Sequence, residues 1–160
     1  MTVGDLLAQA EAAGVRIATA ESCTGGMVAA ALTDIAGSSR VIERGFVTYS
    51  NAAKRELLGV SAEALDQFGA VSEEVAREMA EGALAHAPVQ LAVSVTGIAG
   101  PGGSEVKPEG RVCFGLACRG HPTLTETIEF GAPGRAAVRA AARDHALALL
   151  ARGVALLASG

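Results

Sequence analysis

Two clusters in this 160-residue chain combine side chains able to attack a carbonyl or carry a proton. The first is Ala18-Thr19-Ala20-Glu21-Ser22-Cys23-Thr24-Gly25-Gly26, a run of small residues suited to a strand, followed by a turn with two hydroxyls, a thiol and a glycine pair. A strand that ends where a helix begins delivers its last side chain to the place where the helix points unpaired N–H groups and its positive dipole end. Ser22 is thus a candidate nucleophile, and the N–H groups from Thr24 to Gly26 are candidate donors to a developing oxyanion. Ser, Thr and Gly also gather at helix starts purely as caps, and the local pattern taken alone favours the cap. Cys23 is the rival nucleophile, because a thiol near a helix N-terminus ionises more readily. A buried, inert cysteine is the commoner case.

The second cluster, Tyr49-Ser50-Asn51-Ala52-Ala53-Lys54, again runs from strand to helix, which places Tyr49 and Lys54 at one end of a sheet. Lys54 falls in a first helical turn, where a cation opposes the dipole unless an anion or a catalytic purpose compensates. Arg135, near the start of the last helical stretch, is placed in the same way. The pair suggests a negatively charged ligand, with equal weight on the plain alternative that exposed helix ends tolerate such residues for a few tenths of a kcal/mol. A free lysine titrates near pH ~10.4, and the helix dipole offsets at most ~2 kcal/mol. For Lys54 to take a proton from Ser22 near neutrality, partial burial and a neighbouring cation must therefore help. Tyr49 could relay or orient that proton, although a packed, hydrogen-bonded tyrosine is the commoner fate. His86, His121 and His145 are scattered without catalytic or metal-ligand spacing. Arg135, Arg139 and Arg143 form an i, i+4 basic stripe, ordinarily a solvated helix face.

The elements that must position these clusters alternate in type. Residues 1–14 form an amphipathic helix, and residues 15–20 a short strand whose small side chains let helices approach both faces. Met27, Val28, Ala31, Leu32 and Ile35 recur at helical spacing up to a stop near Gly37. Residues 41–50 make a strand with a possible bulge at Gly45, and Asn51 caps a helix over residues 52–58. Helices follow over residues 61–68 and from Ser72 to about Pro88, the latter with Glu73 and Glu74 in its first turn. Leu91 to Val95 is the strongest buried-strand pattern in the chain and ends at Thr96-Gly97. A Gly- and Pro-rich loop over residues 98–110 has the length of a functional loop. Residues 112–118 and 124–130 form a strand pair, and an Ala- and Leu-rich helix spans residues 135–157. Early strands separated by helices and late strands adjacent to each other predict an α/β fold, layered on a mostly parallel, mixed sheet.

Composition bounds the partners. A chain of 160 residues that is 50% apolar can bury a real core as one domain, 1–160. A net charge of −4 and 3% aromatic residues argue against a nucleic-acid binder, which needs clustered cations and stacking platforms. The N-terminus lacks the basic start of a signal peptide, and no apolar run is long enough to span a bilayer. Three cysteines without a C-x-x-C pair suit a reducing, cytoplasmic setting and supply no zinc framework.

Four ordered motifs add a resemblance. ESCTGG at 21–26, GFVTYSNAAK at 45–54, GAVSEEVAREMAEGA at 69–83 and VTGIAGPGG at 95–103 together resemble the CinA family, specifically its C-terminal domain type, the nicotinamide-nucleotide amidase. The likeness covers nearly the whole chain. It implies a three-layer α/β/α sandwich and deamidation of nicotinamide mononucleotide to nicotinate mononucleotide and ammonia in pyridine nucleotide recycling, without metal or cofactor. It further implies Ser22 as nucleophile, Lys54 as base and Tyr49 as its helper. Cys23, Thr24, Gly25, Gly26, Thr96, Gly97 and Arg135 then line the substrate. The chain departs from the family at Gly131-Ala132-Pro133-Gly134-Arg135, which keeps the arginine of an expected Gly-Asp-Arg segment and lacks its acid. The expected partner is a small molecule, with no nucleic acid or membrane and a possible homo-oligomer. The alternative function is a nucleotide-binding regulatory module without turnover, linked to competence or the DNA-damage response.

Overall fold

A computed structural model describes residues 1–160. Five strands form one sheet, β1 (Ile17–Glu21), β2 (Ile42–Val47), β3 (Leu91–Gly97), β4 (Arg111–Cys118) and β5 (Leu124–Glu129), in the order β2-β1-β3-β4-β5. β1 pairs in parallel with β2 and β3, whereas β4 runs antiparallel to both β3 and β5, so four of the five strands point one way. The helices are α1 (Val3–Ala13), α2 (Met27–Thr33), α3 (Asn51–Leu58), α4 (Ala62–Phe68), α5 (Glu73–Ala85) and α6 (Arg135–Ser159), with a 3₁₀ turn at Ser38–Arg40.

Strand alternation sends successive side chains to two different cores. Ile17, Leu91, Val93, Val95, Phe114 and Leu116 face α1, α2 and α6, which contribute Leu6, Val28, Leu32, Val138 and Leu150. Ala18, Ala20 and Ala92 face α3, α4 and α5, which contribute Leu58, Leu65, Val75 and Met79. The result is the three-layer α/β/α sandwich expected from the sequence. The second face is made of small residues because α5 lies unusually close: a Cβ on Gly115 would come within 2.5 Å of the Ala76 carbonyl oxygen. A Cβ on Gly82 would likewise meet the Leu58 carbonyl where α5 crosses α3.

Several local expectations shift. β1 begins at Ile17 because the Val15 N–H is taken by the Ala10 carbonyl at the end of α1, and it extends through Glu21. In β2 the register slips between the Ile17–Ile42 and Ala18–Arg44 pairs, so the irregularity falls at Glu43. Gly45 serves a different need, since a Cβ there would lie 2.7 Å from Thr19 Oγ1. Ser50, not Asn51, caps α3, accepting the Ala53 N–H at 3.0 Å, and Asn51 is the first helical residue. Ser61 and Ser72 cap α4 and α5 in the same way. The long loop at residues 98–110 is present between β3 and β4, its base closed by the Gly110 N–H on the Ile98 carbonyl. No helix is long and apolar enough to cross a membrane.

Candidate active site

The chain leaves β1 for β2 on one side and later returns to β3 on the other, so the strand order reverses at the carboxyl ends of β1 and β3. That is where open α/β sheets hold ligands. A cavity of about 350 Å³ opens there, lined by Ser22, Cys23, Tyr49, Lys54, Thr96, Gly97 and Arg135 among others. Asn51, Ala70 and the Ile98–Gly102 stretch complete its walls.

Ser22 is the first residue beyond β1, and its N–H donates to the Val95 carbonyl at 2.9 Å, which ties the hydroxyl-bearing residue to the central strand. Lys54 arrives from the first turn of α3, 32 residues away, because β1 and β2 are parallel neighbours and both turn into helices at the same sheet end. Its Nζ lies 3.2 Å from Ser22 Oγ and 3.0 Å from the Thr48 carbonyl oxygen. Lys54 is only 1% exposed and Ser22 8%. Burial, which penalises the charged ammonium, holds the Lys54 pKa below the ordinary lysine value. In this arrangement Nζ donates to both oxygens; in its neutral form the same contact would let the amine lone pair accept the Ser22 hydroxyl proton.

The N-terminus of α2, expected to receive a substrate anion, is already occupied by the protein's own carboxylate. Glu21 is completely buried and accepts the N–H groups of Gly26, Val28 and Ala29 at 3.2, 3.0 and 3.0 Å, together with the Thr24 hydroxyl at 2.6 Å. The Gly25 N–H is also engaged, donating to the Ser22 carbonyl at 3.0 Å. Gly25 and Gly26 are therefore not free donors. Both instead adopt positive φ, 57° and 105°, which glycine alone does without strain. In this turn the Cys23 and Thr24 amides are the two without a hydrogen-bond acceptor in the protein.

Burial pushes the Cys23 thiol up to about 11, so it is a protonated thiol at neutral pH despite its position at the turn. Tyr49 is 61% exposed, and its hydroxyl accepts from Arg135 Nη2 at 2.9 Å, with no hydrogen bond to Ser22 or Lys54. The other Arg135 terminal nitrogen donates to the Gly100 carbonyl at 2.7 Å, so this arginine bridges the β2 end and the 98–110 loop across the cavity. Thr96 lines the cavity, is buried, and donates its hydroxyl to the Ala70 carbonyl at 2.8 Å. At Gly97 a Cβ would stand 2.7 Å from a Val112 methyl group, so the glycine admits the approach of β4.

The basic stripe divides by function. Arg135 lines the cavity, Arg139 donates from Nε to the Cys23 carbonyl at 3.0 Å, and Arg143 pairs with Asp144 in solvent. Glu21 and Arg139 were not legible as site residues. For Glu21 the available signal was an acidic residue shortly before a helix start, which the dipole rule favours; Arg139 carried none beyond its spacing. The cavity contains Lys54 and Arg135 as its charged residues and no carboxylate. No three His, Cys, Asp or Glu side chains come together as a metal-ligand set. Thr24 is completely buried and does not line the cavity, so a buried serine–lysine pair beside the free Cys23 amide and Arg135 is the set that could serve acyl transfer on an anionic substrate.

Comparison with known proteins shows the family. The family model described as "CinA C-terminal domain" matches residues 2–154. The chain is 52% identical over 152 residues to nicotinamide-nucleotide amidohydrolase PncC of Escherichia coli K12, covering 94% of this chain and 92% of that protein. It is 59% identical over 131 residues to a CinA-like protein of Chlorobium phaeobacteroides, covering 80% of this chain but spanning only 30% of that longer relative. Among solved structures, competence/damage inducible protein CihA of Agrobacterium tumefaciens superposes with a TM-score of 0.90 at 48% identity, covering 92% of this chain and 90% of the other.

Proposed function

Because the chain belongs to the CinA C-terminal domain family, we propose that it is a nicotinamide-nucleotide amidase, hydrolysing nicotinamide mononucleotide to nicotinate mononucleotide and ammonia. The observation that carries the reading is the buried contact of 3.2 Å between Ser22 Oγ and Lys54 Nζ, in a cavity lined by Lys54 and Arg135 and by no carboxylate.

Lys54, in the neutral form that burial favours, takes the Ser22 proton as Oγ attacks the carboxamide carbon. The carbonyl oxygen becomes an oxyanion held by the Cys23 amide, with the neighbouring Thr24 amide behind it. The tetrahedral intermediate collapses with cleavage of the C–N bond. Lys54 returns its proton to the departing nitrogen, which leaves as ammonia. Water then gives a proton to Lys54 and its oxygen attacks the acyl ester; the ester bond breaks, the proton returns to Ser22 and nicotinate mononucleotide is released. Arg135, at the mouth of the cavity, faces the phosphate, and Thr96 and Gly97 form the wall behind the pyridine. Tyr49 assists when the substrate phosphate draws Arg135 away and frees its hydroxyl. In this reading residues 1–160 act as one domain, in cytoplasmic pyridine nucleotide recycling.

The test is direct. Purified protein incubated with nicotinamide mononucleotide should release ammonia and nicotinate mononucleotide in equal amounts, and Ser22→Ala should abolish both. Ammonia release by Ser22→Ala at the parental rate would overturn the serine mechanism.

A further inference from the structure

The nucleophile turn is held from both ends of its peptide dipoles by two charged side chains that the mechanism above does not use. Glu21 gathers N–H ends, accepting from Gly26, Val28 and Ala29, and adds the Thr24 hydroxyl. Arg139, reaching over from α6, gathers C=O ends, donating from Nε to the Cys23 carbonyl at 3.0 Å and from Nη2 to the Thr24 carbonyl at 3.4 Å. The signs are those the backbone prefers, an anion against amides and a cation against carbonyls. Such charge-assisted hydrogen bonds are the stronger kind.

The consequence for catalysis follows from peptide planarity. In a trans peptide the N–H points opposite to its C=O. Fixing the Cys23 carbonyl on Arg139 therefore turns the Thr24 N–H away from Arg139. The bond from Gly25 N–H to the Ser22 carbonyl in turn fixes the Cys23 N–H on the opposite side of that peptide. These are the two amides of the turn without acceptors. Glu21 keeps the next amides, from Gly26 onward, out of the reaction and anchors the turn to α2. Gly25 is part of the same device. Its φ of 57° suits glycine, and a Cβ there would stand 3.3 Å from Arg139 Nη2, so that the guanidinium would have to give by a few tenths of an ångström.

We propose that Arg139 and Glu21 are positioning residues that clamp the Ser22–Gly26 turn, fixing the Cys23 and Thr24 amides where the oxyanion forms. This rests on the serine reading above. Neither residue touches substrate; each acts through the turn. A small displacement of reacting groups can cost as much as 10²-fold in rate. Loss of one oxyanion donor costs about 10²- to 10³-fold. Loosening one arm of the clamp should cost part of that.

The experiment is steady-state kinetics on nicotinamide mononucleotide with Arg139→Met, Arg139→Lys and Glu21→Gln, beside Ser22→Ala. Arg139→Met should lower kcat by roughly 10- to 100-fold, with KM within about twofold and the midpoint of the pH–rate profile unmoved, because Lys54 is untouched. Arg139→Lys, keeping one donor for the Cys23 carbonyl, should recover part of the loss. A merely structural arginine would lower the melting temperature and the active fraction without this kcat-specific fall per folded molecule. If Glu21→Gln fails to fold, the arginine pair alone decides. A folded Arg139→Met enzyme with parental kcat, beside an inactive Ser22→Ala, overturns the clamp and leaves the serine reading standing. Activity retained by Ser22→Ala overturns the serine reading itself.

Discussion

Replacing Lys54 by methionine separates chemistry from stability. Methionine has nearly the length of the lysine stem and carries no charge, so it can occupy the same 1%-exposed site. Two hydrogen bonds are lost, to Ser22 Oγ and to the Thr48 carbonyl. At a net value of about 0.5–1.5 kcal/mol each, that is a loss of about 1–3 kcal/mol. Against it stands the removal of an amine that burial disfavours in its charged form, as its lowered pKa records. The two effects oppose each other, and the net change should fall within about 1 kcal/mol, which for a domain of this size is a melting shift of about 2–4 °C. Activity should behave otherwise. A general base contributes typically 10²- to 10⁴-fold, or about 3–5 kcal/mol of barrier, and nothing else in the cavity is a base. The assay is ammonia and nicotinate mononucleotide formation, with calorimetric binding of nicotinamide mononucleotide to establish that the pocket is intact. A Lys54→Met enzyme within tenfold of the parental kcat would refute the assignment of the base. A collapse in melting temperature by ~10 °C or more would instead make the amine a structural group.

Three further outcomes bear on the base and on the fold. The neutral amine is the active form, so kcat/KM should climb with pH along a limb lying below that of an ordinary lysine. Stability should move the same way: between the lowered folded value and the ordinary 10.5 the unfolded chain holds a proton that the folded chain does not, so this group favours folding increasingly as pH rises. Thermal melts of parent and Lys54→Met across pH should differ by that slope, and parallel curves would contradict it. On the fold side, Gly115→Ala places a methyl group 2.5 Å from the Ala76 carbonyl and 2.7 Å from Ser94 Oγ, forcing α5 off the sheet. Overpacking of this kind costs about 1–3 kcal/mol, seen as a melting shift of roughly 2–12 °C. An unchanged melting temperature would mean that α5 is free to give way.

Much of this architecture is written in local chemistry. The strand-to-helix junctions at Ser22 and at Ser50 stand out because hydroxyl caps and small residues follow apolar runs, and the cap geometry at Ser50, Ser61 and Ser72 is local hydrogen bonding. The small residues of β1 announce helices on both faces of the sheet, though not that one face would be built of alanines and the other of larger side chains. What local chemistry could not reveal depends on distant partners. Tyr49 and Arg135 meet across 86 residues, and Arg139 meets Cys23 across 116, through the packing of α6 beside β3 and β4. Glu21 was misjudged for a different reason. A vacant helix N-terminus and one filled by the preceding strand's own carboxylate have the same pattern until the path of the turn is known. The placement of the register slip at Glu43 rather than Gly45 has the same origin, since strand pairing and not propensity decides it.

The filled helix end also resolves a conflict in the chemistry. A dianionic phosphate close to Lys54 would stabilise the ammonium and remove the base, yet the substrate must carry that phosphate into the cavity. Were the α2 N-terminus open, it would draw the phosphate to the turn, within reach of the lysine. With Glu21 seated there, that attraction is already spent on an internal carboxylate. In the proposed reading the cation left for the phosphate is Arg135, hydrogen-bonded to Tyr49 and to the Gly100 carbonyl and exposed beside the cavity it lines. The phosphate is thus pulled outward by an arginine that stays charged at all relevant pH. In the proposed reading the carboxamide is left at the base of the cavity, where burial holds the Lys54 pKa below the ordinary lysine value. On the proposed mechanism, the buried Glu21 thus favours the orientation in which the carboxamide end of the substrate meets Ser22.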